Sequence, residues 1–454
     1  MTLIYRRCAG MDVHQKSISV CARIRTAKNT FKTETAVFRT FTQDLEKMAA
    51  WLRERKIRHA AMESTGVYWK PVWNVLEASK RGFSLVLVNP QHIKALPGRK
   101  TDKQDAERIA TFLQEGLLRG SFVPPQPIRE LRELTRRRTH LQGDRNRVIN
   151  RIGRLLETAN IKLGTVLSNI VGQSGRAILN AIVAGETAAG DLATYTSRRV
   201  RHSREEFELA LEGRYSDHLR WLLGQLLDEL DHLDRRVALL DLRIGKLMQP
   251  HTDLIARLCT LPGVDITTAH IIVAEIGSDM SCFPDARHLA SWAGLCPGNS
   301  ESAGKRFSGR TRKGNRYLRR VLVQNAWAVA HKKDCALTAF FHRIAGRAGL
   351  KKAAVAVAHR ILMLAYYIIR DGSIYHEAGG DVYDRRNPER TARRLARRLQ
   401  RIGFEVTLNP RPRPALAPQG PPLPGQTCLK CNRWGIACIH VRPRLPPHPK
   451  KASR

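Results

Sequence analysis

The sequence predicts an α/β layer at the N-terminus followed by a long, mainly helical region. Three observations predict it. Short apolar or alternating runs at residues 8–24, 31–38, 59–63 and 83–88 are separated by helical spacings. A proline cluster, Pro124-Pro125-Gln126-Pro127, then closes that pattern. Beyond it, apolar residues recur every three or four positions over two long stretches.

The chain has 454 residues, too many for one ordinary core, so several domains are expected. The composition shifts place them at 1–125, 126–255, 256–375 and 376–454. Lys and Arg number 78 against 40 Asp and Glu, a formal charge of +38. Such a balance points to a polyanion partner. No run of about 18 apolar residues stands out and no signal-peptide core lies near the N-terminus. Nucleic acid is therefore favoured over a membrane surface. The nine cysteines are odd in number, and six are scattered singly: Cys8, Cys21, Cys259, Cys282, Cys296 and Cys335. This is not a secreted disulfide framework, and it reads as reduced, mostly buried thiols in a cytosol.

In order, residues 8–24 alternate as a half-buried strand pair, and Phe31–Phe38 supplies a third strand. Leu45, Met48, Ala49 and Leu52 have helical spacing. His59–Glu63 is a short apolar strand ending in a carboxylate, and Tyr68–Leu76 is helical. Phe83–Val88 is a continuous apolar run, expected of a strand buried on both faces, and Asp102–Leu118 has a helical pattern. Three strands followed by alternating helix and strand imply a mixed sheet.

Asp12 taken alone reads most simply as a strand-end acid that meets solvent or caps a turn. Glu63, Asp102 and Asp105 change that. Asp102 and Asp105 are three apart and so share a helix face. Taken alone, they also fit a charged first turn favoured by the macrodipole. Four converging carboxylates repel one another unless a cation neutralises them. Oxygen-only ligation suits Mg²⁺ or Mn²⁺, and such ions support phosphodiester cleavage.

From Ile128 the chain predicts a long helix, with Leu134, Leu141, Val148 and Leu155 at intervals of seven. Arg136, Arg137, Arg138, Arg145, Arg147, Arg151 and Arg154 crowd it, and phosphate contact is expected of that excess. Residues 164–203 are Gly/Ala/Ser-rich and predict less regular structure. Leu219, Leu223, Leu226, Leu230, Leu233, Val237, Leu240, Ile244 and Leu247 then form a heptad seam. It can pair with the preceding helix or with a partner subunit, and its regularity favours a dimer.

Leu261-Pro262-Gly263-Val264 separates two predicted helices, a helix-hairpin-helix pattern whose turn amides at Gly263 can hold a DNA phosphate. A plain packing turn is the other reading. Next come a Gly/Ser loop around Ser300, Ser302 and Lys305 and a basic segment with Arg310, Arg312, Lys313, Arg316, Arg319 and Arg320. A loop serine beside many guanidinium groups has the surroundings of a phosphoryl-transfer nucleophile. A buried helix at 353–369 and an Asp371-Gly372 cap close the region. The remainder is an Arg-dense helix at 385–401, a proline-rich linker, and Cys428, Cys431, Cys438 and His440, whose four soft ligands suit a tetrahedral zinc site. A tail with free thiols is the alternative.

The motifs GMDVHQKSISVCA, AMESTGVYW, LVNP with KTDKQDAERIA, LPGVDITTAHIIVAEIG and ASWAGLCPGNSESAGK with GNRYLRRVLVQNAW occur here in order. Together they resemble the DEDD transposases of the IS-one-ten group of insertion sequences, over about residues 9–375. The resemblance implies an RNase H-like (RuvC-like) N-terminal domain, a coiled coil and a C-terminal transposase domain. It makes Asp12, Glu63, Asp102 and Asp105 a Mg²⁺ tetrad. It makes Ser302 the nucleophile, although Ala303 departs from the usual glycine and Ser300 lies nearby. It further implies a bridge RNA that pairs with donor and target DNA, and a composite site shared between subunits of a dimer or tetramer. The Cys-bearing tail lies outside the family pattern. The expected function is a bacterial DNA recombinase. The alternatives are a metal-dependent junction nuclease in which water attacks, and a non-catalytic nucleic-acid scaffold.

Overall fold

The structure, a computed structural model, describes residues 4–26, 30–64, 66–79, 82–90, 102–196, 202–298, 300–302 and 305–409. At 102–104, 300–302 and 305–308 only the backbone path is described. The chain divides into two compact units, Met1–Pro124 and Pro125–Arg454.

The first unit is a five-stranded mixed sheet with helices on both faces. Its elements are β1 (Arg7–Val13), β2 (Ser17–Arg25), β3 (Phe31–Arg39), α1 (Thr42–Glu54), β4 (His59–Glu63), α2 (Trp69–Glu77), β5 (Ser84–Val88) and α3 (Asp102–Gln114). The order is β3-β2-β1-β4-β5. β1, β2 and β3 pair antiparallel, and β4 is parallel to both β1 and β5. Strand alternation sorts the side chains between two helical layers. Met11, Val13, Met62 and Leu87 join the core beside Leu45, Met48 and Leu76 of α1 and α2. Cys8, Ala61 and Val88 pack instead on Ile109 and Leu113 of α3. The expectation for residues 83–88 needs correction. β5 is an edge strand, with Ser84 exposed and Leu85 and Val86 half-buried. Only Leu87 and Val88, one to each layer, are buried, and these account for the apolar run.

The second unit opens with two long helices, α4 (Gln126–Thr158, 33 residues) and α9 (Asp217–Met248, 32 residues). Between them lie α5 (Leu163–Val166), α6 (Gln173–Ala184), α7 (Ala189–Thr194) and α8 (Arg204–Leu211). The described residues between 164 and 203 are thus far more helical than their small-residue composition predicts. Ile178, Leu179 and Ile182 of α6 enter a shared core with Leu141, Val148 and Ile152 of α4 and Leu223, Leu227 and Leu230 of α9. The heptad seam of α9 therefore has partners inside the chain. Leu226, Val237 and Leu240 pack against the same core.

Ion pairs across α4 and α9 fix their direction. Arg138 meets Asp241, Arg145 meets Asp234 at 2.5 Å, and Arg151 meets Glu229 at 3.4 Å. The hairpin is antiparallel, because α9 retreats by seven residues as α4 advances from Arg138 to Arg145. Four of the α4 arginines expected to meet phosphate pair with carboxylates here: Arg138, Arg145 and Arg151 across the hairpin, and Arg136 with Glu275.

The unit continues with α10 (Thr252–Leu258), α11 (Ile266–Ile276), α12 (Ala286–Trp292), β6 (Ser300–Ser302), β7 (Lys305–Ser308), α13 (Arg316–Val329), α14 (Ala336–Ala348), α15 (Leu350–Asp371), α16 (Val382–Arg386) and α17 (Pro388–Arg401). Among the described residues, α15 is long and apolar enough by length and mean composition to cross a membrane, although Lys, His and Arg interrupt its apolar run. It is nevertheless a core helix here. Ala354, Val357, Ala358, Ile361, Leu362 and Ala365 are all buried, and Gly372 ends it in a left-handed C-cap.

Candidate nucleic-acid-processing site

Glycine at position 10 sets the geometry of the acidic residues. A Cβ there would lie 2.2 Å from the Ala106 carbonyl oxygen and 2.3 Å from the Ala110 amide nitrogen. α3 therefore presses its backbone onto β1, and only glycine admits that approach. Its direction follows from contacts further along. The Cys8 thiol donates to the Ala110 carbonyl (3.4 Å), and Gln114 Nε2 donates to the Tyr5 carbonyl (3.2 Å). Helix and strand thus run antiparallel.

That alignment places the start of α3. Four helical residues rise about 6 Å. Two strand residues rise about 6.6 Å. The step from Ala110 to Ala106 accompanies the step from Cys8 to Gly10. The next equal step reaches Asp102 on the helix as the strand reaches Asp12. Asp105 lies four residues before Ile109, so it shares the side of α3 that faces Ala61 and Val88.

Asp12 and Glu63 come together by register. β1 and β4 are parallel, with Met11 opposite Met62. The next residue on each is the acid, on strands about 4.8 Å apart. Met11 and Met62 fill the α1/α2 layer, so both acids belong to the α3 face. Asp12 is buried, at 7% exposure, and His14 Nε2 lies 3.0 Å from its Oδ2. Glu63 and Asp105 are half-buried. This donor set suits a hard divalent cation, since every candidate ligand is a carboxylate oxygen and one of them is buried. Among the described residues, no three His, Cys, Asp or Glu form a group that could hold a metal ion. The side chain of Asp102 lies outside them. So do Cys428, Cys431, Cys438 and His440.

His14 was not singled out from sequence, and its adjacency to Asp12 was the available signal. The thiols behind the acids are chemically quiet. Burial pushes both Cys8 and Cys21 up to about 12, so they stay protonated at neutral pH.

In the second unit, Ser302 lies not in an open loop but on a β-hairpin. β6 and β7 pair antiparallel, with Ser302 opposite Lys305 at the turn and Ser300 opposite Ser308 nearer the base. The register shifts between Ser300 and Glu301, and Ser302 is the closer of the two serines to the tip. The base of the hairpin is clamped. Gly298 N–H donates to the Arg310 carbonyl (2.9 Å). A Cβ on Gly314 would lie 2.4 Å from the Gly294 nitrogen, so two glycines let the flanking segments touch.

At the start of α13 sits a buried carboxylate that sequence reasoning missed. Glu275 is fully buried. It accepts two bonds from Arg136, Nε at 2.7 Å and Nη2 at 2.8 Å, and one from Asn315 Nδ2 at 2.6 Å. Arg132 lies 3.3 Å away, and its own burial depresses its pKa to about 10. Asn315 also caps α13, its Oδ1 accepting from the Tyr317 and Leu318 amides. Glu275 thus ties α4 and α11 to the start of the basic helix.

Arg312, Lys313, Arg316 and Arg320 are exposed and Arg319 is half-buried. Arg310 is exposed as well and has an interaction of its own. Among the described residues, Arg312, Lys313, Arg319 and Arg320 form no ion pair. Arg316 lies over the Tyr317 ring, 4.8 Å from its centroid. The side chain of Lys305 lies outside the described residues. Gly263 has a packing explanation. It holds φ at +79°, and a Cβ there would meet Val329 Cγ2 at 2.5 Å, so the turn rests on α13. The two helices that flank it, α10 and α11, are present as expected.

Comparisons with known proteins agree with the motifs. Residues 9–161 match a family described as "Transposase", that of the DEDD transposases of IS110, and residues 255–342 match "Transposase IS116/IS110/IS902 family". An insertion element IS110 protein of 43.6 kDa from Streptomyces coelicolor is 32% identical over 32% of this chain and 35% of that protein. A pilin gene-inverting protein from Moraxella bovis is 25% identical over 80% of this chain and 95% of its own length. The structure of RuvC from Thermus thermophilus matches 25% of this chain and 99% of its own, with 12% identity and a TM-score of 0.21. Two separate family segments, in the order that the motifs require, make this chain a member of the IS110 family of insertion-sequence transposases.

Proposed function

We propose that this chain cuts and rejoins DNA, with Asp12, Glu63, Asp102 and Asp105 holding a divalent cation and Ser302 acting as nucleophile. The register of β1 beside β4 and the close approach of α3 to β1 support the reading, because they put the segments that carry Asp12, Glu63 and Asp105 on one face of the sheet. The bound cation supplies positive charge against the scissile phosphate. The acids fix its position. Ser302 Oγ attacks phosphorus and forms a phosphoserine ester. Its proton is lost, and the departing strand's oxygen takes one up. Attack by a DNA hydroxyl on that ester reverses the exchange and rejoins a strand. Lys305, Arg310 and Arg312 neutralise the non-bridging oxygens, and Lys313, Arg316, Arg319, Arg320 and the Gly263 turn hold flanking phosphates.

Rejoining, rather than simple cleavage, is supported by the relative named for gene inversion, since inversion needs both steps. By family resemblance, a structured non-coding RNA pairs with donor and target DNA, and the acids of one subunit meet the serine of another. The C-terminal Cys428, Cys431, Cys438 and His440 would form a separate zinc site.

The test is paired. Ser302→Ala should abolish both recombination and the covalent protein–DNA adduct seen on a denaturing gel. Asp12→Ala should abolish both as well. If Ser302→Ala still cleaves while Asp12→Ala is dead, water is the nucleophile and the chain is a junction nuclease. If both variants remain as active as the parent, the site is elsewhere.

A further inference from the structure

α17 lies beyond both family segments, and nothing above gives it a task. Its side chains sort by type. Arg390, Arg394, Arg397 and Arg401 follow steps of four, three and four, and Arg393 and Arg398 flank that line. Ala392, Leu395, Ala396 and Leu399 occupy the opposite side. Of the fourteen residues, Ala396 alone is buried. Two of the six arginines have exposed, weak pairings: Arg393 with Glu389 at 3.7 Å and Arg394 with Asp384 at 3.4 Å. Among the described residues, Arg390, Arg397, Arg398 and Arg401 pair with no carboxylate.

A row of like charges on one helix face raises the energy of the free protein and is relieved by a polyanion. We propose that the arginine face of α17 docks on the phosphate backbone of double-stranded DNA. The inference rests on the DNA-processing reading for its context and extends it to a segment outside the two family segments. Charge complementarity chooses a polyanion. Groove width chooses the duplex: a B-DNA major groove about 12 Å wide admits a helix about 10–12 Å across. The major groove of A-form RNA is too deep and narrow for one. A uniform row of arginines lacks the mixed donors and acceptors of base-edge reading, so this contact sets affinity and register rather than sequence. A membrane surface fits less well, because the apolar side of α17 offers two leucines and two alanines against six arginines.

The experiment uses the full chain with EDTA present, so that no strand chemistry occurs and failure of the catalytic reading leaves the result untouched. Binding to a duplex of arbitrary sequence is followed against salt for the parent and for the variant Arg390→Gln/Arg397→Gln/Arg398→Gln/Arg401→Gln. The slope of log affinity against log salt should become shallower by about 3 to 4 in the variant. Leu395→Ser/Leu399→Ser should keep the parent slope. An unchanged slope in the arginine variant overturns the proposal. So does an effect confined to a structured RNA hairpin, or one confined to vesicles containing phosphatidylserine.

Discussion

Two arginine-rich stretches of this protein have opposite fates. On α4, Arg136, Arg138, Arg145 and Arg151 each meet a carboxylate from α9 or α11. Between residues 310 and 320, Arg312, Lys313, Arg319 and Arg320 meet none among the described residues. The two stretches look alike in sequence. What separates them is whether an acid falls at the facing position of a packed neighbour, which on α4 means Asp241, Asp234, Glu229 and Glu275, each more than seventy residues away. Cation density alone therefore does not mark a nucleic-acid surface. The marker is cation density that the fold leaves uncompensated.

The largest effect should come from the one buried compensation. Glu275→Ala leaves Arg136 and Asn315 without their shared acceptor and removes the counter-charge beside Arg132, which is already held at a depressed pKa by burial. Breaking a buried ion pair from one side costs about 3–5 kcal/mol. Urea denaturation of the variant should show that loss. A change below about 1 kcal/mol would mean that the network is not structural, and the contrast between the stretches would fail at its strongest point.

The second effect separates binding from stability. Replacing Arg312, Lys313, Arg319 and Arg320 together by Gln should shift stability by no more than about 0.5 kcal/mol per site. It should make the salt dependence of duplex binding shallower by about 3 to 4. Replacing Arg138, Arg145 and Arg151 by Gln should change that slope by less than about 1, because carboxylates already neutralise them. Equal slope changes in the two variants would erase the distinction.

The strands were legible in sequence because they rest on local pattern. Residues 8–24 alternate, and the β1–β2 register follows from that alternation together with the short turn at 14–17, where the His14 N–H donates to the Ser17 carbonyl. Asp102 and Asp105 were placed on one helix face by their spacing. The distance from α3 to β1 was not legible, since it depends on a strand glycine, Gly10, meeting Ala106 and Ala110 almost a hundred residues later. The heptad seam of α9 was visible, but its partner was not, because periodicity names a buried stripe without naming what covers it. The β6–β7 hairpin was hidden by two short, mostly polar strands, Ser-Glu-Ser and Lys-Arg-Phe-Ser, which carry no alternating apolar signal. Glu275 was hidden because an acid inside the apolar run of α11 becomes intelligible only once Arg132 and Arg136 face it.

The smallest effect tests what the α4–α9 ladder is for. Arg145 and Asp234 are about one-quarter and one-half exposed, so solvent screens their attraction. A double-mutant cycle with Arg145→Gln and Asp234→Asn should return a coupling of about 0.2–1 kcal/mol. That coupling should shrink in about 1 M salt, where the Debye length falls to about 3 Å. The charge-reversed pair Arg145→Asp with Asp234→Arg should recover the parent stability, because the two positions face each other in an antiparallel hairpin. A coupling above about 2 kcal/mol would make the ladder a determinant of the hairpin in its own right. The hairpin would then depend on its charges, whereas the apolar core of Leu141, Val148, Leu223 and Leu230 already gives it sufficient reason to form. On that core the acids of α9 neutralise Arg138, Arg145 and Arg151, which leaves the exposed Arg137 and Arg154 of α4, together with the uncompensated arginines elsewhere, free to meet phosphate.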